Sequence, residues 1–345
     1  MVLDRMTYDL RPAAPDIVFR LERPHAAWAA TPEIDATTLD VATSALDGYR
    51  AAADTLEDMR CCVRREARSV GAAVAGGGAH PVRTCGGQRE PGKLAGFGMH
   101  VQIGVRDADE AVRIGAWLNQ RAPLFIALSA SSPYWRGRDS GFCSARNTVS
   151  GAFQASGVMP SSLRSWQDVA QHVARLGCHG LATRVQDVDW DVRPDPERGA
   201  VELRALDAPL HPAYAAAIAC YAREVCAEVA DRPGVWPCAR AAELYPWNRF
   251  NATRCGVLGD WVDPCTRRKN SVDYVVRSDL ARLAARSDDP DFPAACVLIH
   301  ELLHNGGQAR WLTAHMAAGA GTIDLARLAS AMFDSPVAPG GNVEQ

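Results

Sequence analysis

Residues 190–207 read WDVRPDPERGAVELRALD, and the fold turns on how the second half of that stretch is read. Val201, Glu202, Leu203, Arg204, Ala205 and Leu206 alternate in character, so a strand here sends Glu202 and Arg204 to one face and Val201, Leu203 and Ala205 to the other. The segment before it, with its Pro and Gly, predicts a strand-turn-strand unit. A carboxylate and a guanidinium two residues apart then share one wall. The carboxylate suits a divalent cation and the guanidinium forks onto phosphate oxygens. The alternative is an ordinary salt bridge on a solvated sheet.

Working outward, residues 37–70 carry Leu39, Ala42, Leu46, Tyr49, Ala53, Leu56 and Val63 at threes and fours, which predicts one long amphipathic helix ending near Gly71. A short strand and a glycine loop follow, with Gly76 to Gly78 allowing close backbone approach and His80 ahead of a proline. Residues 99–105 alternate again, placing His100 and Gln102 opposite Val101, Ile103 and Val105. Asp107 and Glu110 form a capping-box pattern for a helix to about Asn119. Residues 128–160, rich in Ser, Gly, Arg and aromatics, predict a long ordered loop. Helices are expected at 163–176 and 212–229, then a loop bearing Trp247, Asn248, Arg249 and Arg254, then two C-terminal helices and a frayed tail at 337–345. The pattern predicts a single α+β domain over 1–336, a curved, mostly antiparallel sheet flanked by helices. The glycines at 76–78 lack the G-x-G-x-x-G spacing of a dinucleotide-binding fold.

Composition narrows the partners. With 48% hydrophobic and 22% charged residues over 345 positions, the chain can bury a large core. A formal net charge of -3 gives no surface suited to nucleic acid or anionic membrane. The charged, proline-containing start has no apolar signal core, so the expected place is the cytoplasm. Eleven cysteines without a C-x-x-C pair read as free, mostly buried thiols.

Five segments in order, GGGAHP at 76–81, FGMHVQIG at 97–104, FIALSASSPYWRGRDSGFCSAR at 125–146, WDVRPDPERGAVELRALD at 190–207 and WNRFNATRCGV at 247–257, resemble the carboxylate-amine ligases of the glutamate-cysteine ligase type 2 family. The resemblance implies a glutamine-synthetase-like funnel in which ATP, Mg2+ and an amino-acid carboxylate meet. It also implies amide formation through an acyl phosphate, with metals and arginines neutralising the transferring phosphoryl group. By that resemblance Glu202 is a metal ligand, His100 a second-metal ligand with Gln102 beside it, and Arg204 a phosphate contact. Arg146 and Arg254 reach substrate carboxylate or phosphate, and Arg193, His80 and Asn248 serve ATP or substrate, the last two with loop shaping as the alternative. The partners expected are small-molecule amino-acid and amine substrates, with no nucleic acid or membrane, and a second copy of the chain in a homodimer.

The chain departs from the family at its first strand, aligned with Val18 to Glu22, where Arg20 stands in place of an acid. In the next motif, Glu33 to Asp40, Ala36 replaces one glutamate and the shorter Asp40 another. Glu22 and Asp40 remain as metal-ligating carboxylates. An arginine cannot supply a divalent ion's coordination, so either Arg20 pairs with Glu22, Asp40 or Glu202 in place of a cation, joining Gln102 among the ATP- or substrate-binding residues, or it faces the core edge and the strand register is one residue off. That leaves a second reading open: a diverged relative that binds ligand in altered acyl transfer or regulation. A third comes from His300-Glu301-Leu302-Leu303-His304, an H-E-x-x-H match to a zinc hydrolase. It lacks a third ligand, since Arg310 occupies the place of a histidine and only His315 is near.

Overall fold

The computed structural model describes residues 1–21, 27–33, 35–83, 96–150, 157–232 and 234–336. Glu22 and the tail at 337–345 lie outside these residues. In chain order the elements are β1 (Val2–Asp4), α1 (Ala14–Arg20), β2 (Trp28–Pro32), β3 (Leu39–Thr43), α2 (Gly48–Ser69), β4 (Ala72–Val74), β5 (Gly98–Gly104) and α3 (Ala108–Ser129). Then come β6 (Tyr134–Trp135), β7 (Arg138–Asp139), α4 (Ala145–Ser150), α5 (Trp166–Cys178), β8 (Val192–Asp195), β9 (Ala200–Asp207), α6 (Pro212–Ala230) and α7 (Ala241–Cys255). The chain closes with β10 (Asp260–Val262), β11 (Lys269–Ser271), α8 (Val272–Ala284), α9 (Phe292–His304), α10 (Gln308–Ala317) and α11 (Thr322–Asp334).

The fold is α+β, as expected, but the one curved sheet is not what the described residues show. Their strands form a three-stranded antiparallel sheet, β5-β9-β8, and four two-stranded antiparallel pairs: β1-β4, β2-β3, β6-β7 and β10-β11. The three-stranded sheet is amphipathic in the way its alternation dictates. Val101, Val192, Val201 and Leu203 are buried with Ile114 and Leu118 of α3 and with α6 in the main core. Helix α3 is buried on nearly every side, so it acts as the backing layer between that sheet and α6 and α7. The Asp107 side chain accepts from the Glu110 N–H at 2.8 Å and caps it.

Several boundaries differ from the sequence reading, each for a physical reason. The predicted helix over 37–70 is a strand and then a helix: β3 pairs with β2 from Leu39 to Thr43, and only residues 48–69 are helical. Asp289, from the α8–α9 connection, accepts the Tyr49 N–H at 2.7 Å and starts that helix from a distance. Helix α3 continues through Pro123 to Ser129, because packing on the sheet outweighs the single backbone bond a proline removes. The loop at 128–160 is interrupted by β6, β7 and α4, and the expected loop around Trp247 is helix α7. Four helices, rather than two, follow β11. Of the ten described cysteines, all free, four are buried, so the thiols are less buried than composition suggested. No helix among the described residues is long and apolar enough to cross a membrane.

Candidate functional site: a cationic wall on the three-stranded sheet

Strand register builds the site. Gln102 on β5 and Arg193 on β8 both stand opposite Glu202 on β9, so the three side chains form one row across the face turned away from α3. The register shifts between Met99 and Val101, so that two residues of β9, Arg204 and Ala205, stand opposite the single residue His100 of β5. His100 Nδ1 comes within 3.2 Å of Glu202 Oε1. The other carboxylate oxygen, Oε2, accepts from Arg193 Nη2 at 2.7 Å and from Arg204 Nη1 at 3.0 Å. Glu202 is therefore a buried hub with three cationic or donor groups around it. Burial alone would push its carboxyl up, but the His100 hydrogen bond and the charges of Arg204, His100 and Arg193 outweigh that and hold it well below the usual carboxylate range. His100 remains 43% exposed and Arg204 22%, whereas Arg193 is 5% exposed. The wall leaves His100 and Arg204 open to solvent and keeps Arg193 behind them.

Two further buried carboxylates fasten this wall to its surroundings. Asp191, just ahead of β8, takes a bidentate pair from Arg249, Nε to Oδ2 at 2.7 Å and Nη2 to Oδ1 at 3.1 Å, and the Tyr245 hydroxyl donates to the same Oδ2. Arg249 Nη1 also donates to the Asn147 carbonyl at 3.2 Å. Asp207, at the end of β9, accepts from the Ser131 N–H at 3.0 Å, Ser132 Oγ at 2.7 Å and Ser144 Oγ at 3.0 Å, with Arg146 Nη1 at 3.6 Å. Burial pushes this carboxyl up, against the pull of Arg146 and the serine donors. Space for it depends on glycine: a Cβ on Gly78 would lie 2.3 Å from Asp207 Cγ, and one on Gly98 would lie 2.4 Å from Arg146 Nη2. The glycine-rich segments flagged in the sequence thus make room for the Asp207–Arg146 pair.

Not every expected residue joins the site. Val18 and Arg20 lie in helix α1, not in a strand, and Arg20 is exposed at its end. Pro15 in the first turn favours the helix. Arg20 pairs with neither Asp40 nor Glu202. Asp40 is exposed on β3, in a different sheet, and is not brought to the Glu202 carboxylate. His80 is buried and faces backbone: its Nδ1 accepts from the Val82 and Arg83 N–H groups at 3.2 and 2.9 Å, which leaves Nε2 to donate to the Tyr8 carbonyl at 3.0 Å. Asn248 likewise braces β10, donating to the Val262 carbonyl at 3.0 Å and accepting its N–H at 2.9 Å. Both match the loop-shaping alternative. Arg254 is exposed, its guanidinium 5.9 Å from the Phe250 ring, while Arg249, five residues earlier, is the α7 arginine that reaches the sheet. Asp191, Tyr245 and Asp207 were missed as well, although Asp191 and Asp207 bracket the very hairpin that the alternation had identified.

The metal readings change too. Among the described residues the one group of three potential ligands close enough to share an ion is Cys220, Glu224 and Asp289, away from Glu202. Arg223 already sits within it, 2.6 Å from Glu224 and 3.2 Å from Asp289, so it is a neutralised cluster. His300, Glu301 and His304 lie on α9 without a third ligand, and His315 Nδ1 is 2.8 Å from the Trp311 carbonyl.

The depressed Glu202 carboxyl has a measurable consequence. Its folded value lies below the ordinary 4.5, so it adds stability that is present above about that pH and lost as pH falls through the folded value. Urea unfolding of wild type and Glu202→Gln at a series of pH values below 4.5 should show a shallower acid-side loss in the variant. Parallel curves would mean that the carboxylate gains nothing from its partners.

Comparison with known proteins now bears on this geometry. Residues 2–328 match the model of glutamate-cysteine ligase family 2. A protein of Methylibium petroleiphilum is 34% identical over 333 residues, covering 92% of this chain and 90% of its own length. One from Bordetella parapertussis is 33% identical over 328 residues, with 90% and 79% covered. One from Nitrosospira multiformis is 32% identical over 320 residues, with 88% and 86% covered. All three bear the name "Putative glutamate--cysteine ligase 2". A match that runs through the Glu202 hairpin and both carboxylate anchors, across nearly the whole sequence, makes this chain a member of the glutamate-cysteine ligase family 2.

Proposed function

We propose that the protein is an ATP-dependent carboxylate-amine ligase, joining an amino-acid carboxylate, glutamate being the family default, to an amine through an acyl phosphate. The observation that carries this reading is the partly open wall formed by the Arg204 guanidinium and the His100 imidazole, held in place by buried Glu202. A phosphoryl group moving to a carboxylate gathers negative charge on its equatorial oxygens, and fixed guanidinium donors stabilise it without reorganising. Arg204 is the group offered to that charge. Glu202 orients both Arg204 and Arg193, and its bond to His100 Nδ1 leaves Nε2 as the nitrogen that can take a proton from the attacking amine. The glutamine-synthetase-like funnel and a cytoplasmic setting, which suits the ten described thiols, all of them free, belong to the same proposal.

ATP supplies the leaving phosphoryl group, and this anion-binding face fits its phosphates. The described residues do not fit a divalent metal at the same place, because Glu202 is the only carboxylate in the row and both its oxygens are engaged by His100, Arg193 and Arg204. No step is therefore assigned to a metal. That saturation favours a second reading, a diverged member that binds ligand without turnover. Phosphate release from ATP across a panel of amino acids and amines separates the two. The ligase reading expects release with at least one pair, and a fall in kcat/KM of about 10²-fold or more in Arg204→Ala. No release above blank with any pair would leave the binding reading.

A further inference from the structure

Two thiols from different segments of the chain meet outside the cationic wall. Cys238 lies just ahead of α7, and Cys265 lies in the turn between β10 and β11. Cys238 Sγ donates to the Pro264 carbonyl at 3.5 Å, which sets it beside the very next residue. The Cys265 thiol is pushed up first by partial burial, then by the charge of Cys238 and by a hydrogen bond between the two side chains. Both can be reached from solvent, since Cys265 is exposed and Cys238 half-buried. Their backbones are held. The Asp263 carboxylate accepts the Cys265 and Thr266 N–H groups at 2.9 and 2.6 Å, which fixes the turn. The Cys238 carbonyl accepts the Ala241 N–H at 2.8 Å at the entry to α7. A thiol pair kept together by two ordered segments, with one member open to solvent, meets the condition for fast intramolecular exchange. Among the described residues Cys178 is the other exposed thiol.

We propose that Cys238 and Cys265 form a reversible disulfide, with a low-molecular-weight disulfide as co-reactant, and that this bond braces the start of α7 against the β10–β11 turn. Cys265, the more open thiol, loses its proton and attacks one sulfur of the small disulfide. That S–S bond breaks, one small thiolate leaves and takes up the proton, and a mixed disulfide remains on Cys265. Cys238, deprotonated in turn, attacks the Cys265 sulfur; the protein disulfide forms and the second small thiolate leaves with that proton. Two protein thiols are oxidised, one small disulfide is reduced to two thiols, and no further oxidant is required. An exposed disulfide of this kind is readily reduced again, which makes it a switch rather than a permanent staple. Helix α7 carries Tyr245 and Arg249, which hold Asp191, so the bond acts on the helix that anchors the wall. Its formation stands whatever reaction the wall performs.

The test incubates the reduced chain with hydroxyethyl disulfide in the absence of air, traps free thiols with N-ethylmaleimide and maps the digest by mass spectrometry. The expected product is a Cys238–Cys265 cross-link lacking two hydrogens, while Cys178 carries only the hydroxyethylthio adduct. In Cys238→Ser and in Cys265→Ser the remaining thiol of the pair should end as an adduct. The cross-link should form about tenfold or more faster in the native protein than in the urea-unfolded chain, because the fold raises the effective concentration of one thiol at the other. Oxidised wild type should unfold at a higher urea concentration than reduced wild type, and that difference should vanish on reduction and be absent from both serine variants. The proposal fails if both thiols are still free once Cys178 is fully converted, or if either ends joined to a different cysteine. It fails equally if the unfolded chain cross-links as fast as the native one, or if oxidation leaves the urea midpoint where it was. A failure of the ligase reading would show separately, in phosphate release.

Discussion

Glu202→Ala should cost about 3–5 kcal/mol of unfolding free energy in urea, because it strands a buried arginine without its carboxylate. Arg193 is buried, and its Nε already lacks a partner. What remains to it is Gln186 O, at 2.8 Å, and Glu202. Burial and the nearby Arg204 pull the Arg193 guanidinium below its usual value, and Glu202 opposes them. Without Glu202, the two guanidinium groups would face each other across adjacent strands with nothing between them. Arg204, partly solvated, can turn to water, but Arg193 cannot. The cost therefore falls on folding as well as on ligand binding. The double variant Arg193→Met with Glu202→Leu gives the contrast, since replacing both charges with apolar groups of similar size commonly recovers most of such a loss. If Glu202→Ala alone cost less than about 1 kcal/mol, the range of an exposed pair, the hub would not be holding the sheet face together.

This hub also shows what the sequence made legible. Period-two alternation places Glu202 and Arg204 on one face, and the hydrogen bond from Arg204 Nη1 to Glu202 Oε2 at 3.0 Å brings them together there. Alternation likewise put His100 and Gln102 opposite Val101. It could not show that Arg204 and Ala205 would together stand opposite His100, since a bulge is set by pairing with a strand a hundred residues away. Nor could it show Arg249. The segment around Trp247 has Pro246 and Asn248, which argue against helix locally, yet α7 forms because it packs on α3, and only a helix sets Tyr245 and Arg249, four residues apart, on one face toward Asp191. The reverse error occurred at 37–70, where apolar residues at threes and fours describe α2 correctly but run on through β3. There the pairing of Thr31 with Asp40 and Ala30 with Val41 decides the backbone. The strand expected at Val18 to Glu22 rested on alignment to a family motif rather than on any pattern in those residues, and Pro15 and the first-turn Asp16 favour the helix that is found.

The recognised motifs also carry a lesson about what a buried acid does. Resemblance makes Glu202 a metal ligand, whereas its neighbours make it the counter-ion of two arginines and the acceptor for a histidine. Asp191 and Asp207 repeat that arrangement on the open side of the hairpin, where the chain enters β8 and leaves β9, one with Arg249 and one with Arg146. Three buried carboxylates thus each meet an arginine along one strand pair. The result is a rigid base from which Arg204 and His100 project, and rigidity is what an anion-stabilising site requires.

The second large effect is expected at Asp191. Asp191→Ala should cost about 3–5 kcal/mol, since it leaves the mostly buried Arg249 guanidinium uncompensated. Asp191 pulls the Arg249 guanidinium above its usual value, overcoming the burial that would lower it. The carboxylate joins β8 to α7, so its loss should loosen the contact between the sheet and that helix rather than one bond alone. Tyr245→Phe removes only the hydroxyl that donates to Asp191 Oδ2 and should cost about 1.5–3 kcal/mol, the range for a hydrogen bond to a charged group. A double-mutant cycle between Asp191→Ala and Arg249→Met isolates the pair, and the bidentate geometry predicts a coupling of about 2 kcal/mol or more, at the upper end for contacting residues. Urea unfolding of the four proteins gives the number directly. Additive losses, with coupling near zero, would show that each side chain is satisfied elsewhere and that α7 is held to the sheet by apolar packing alone. Arg249→Lys is the sharper variant: it keeps the charge but not the fork, so if bidentate geometry fixes Asp191 and through it the backbone that bonds Arg204, lysine should restore part of the stability and little of the site's activity.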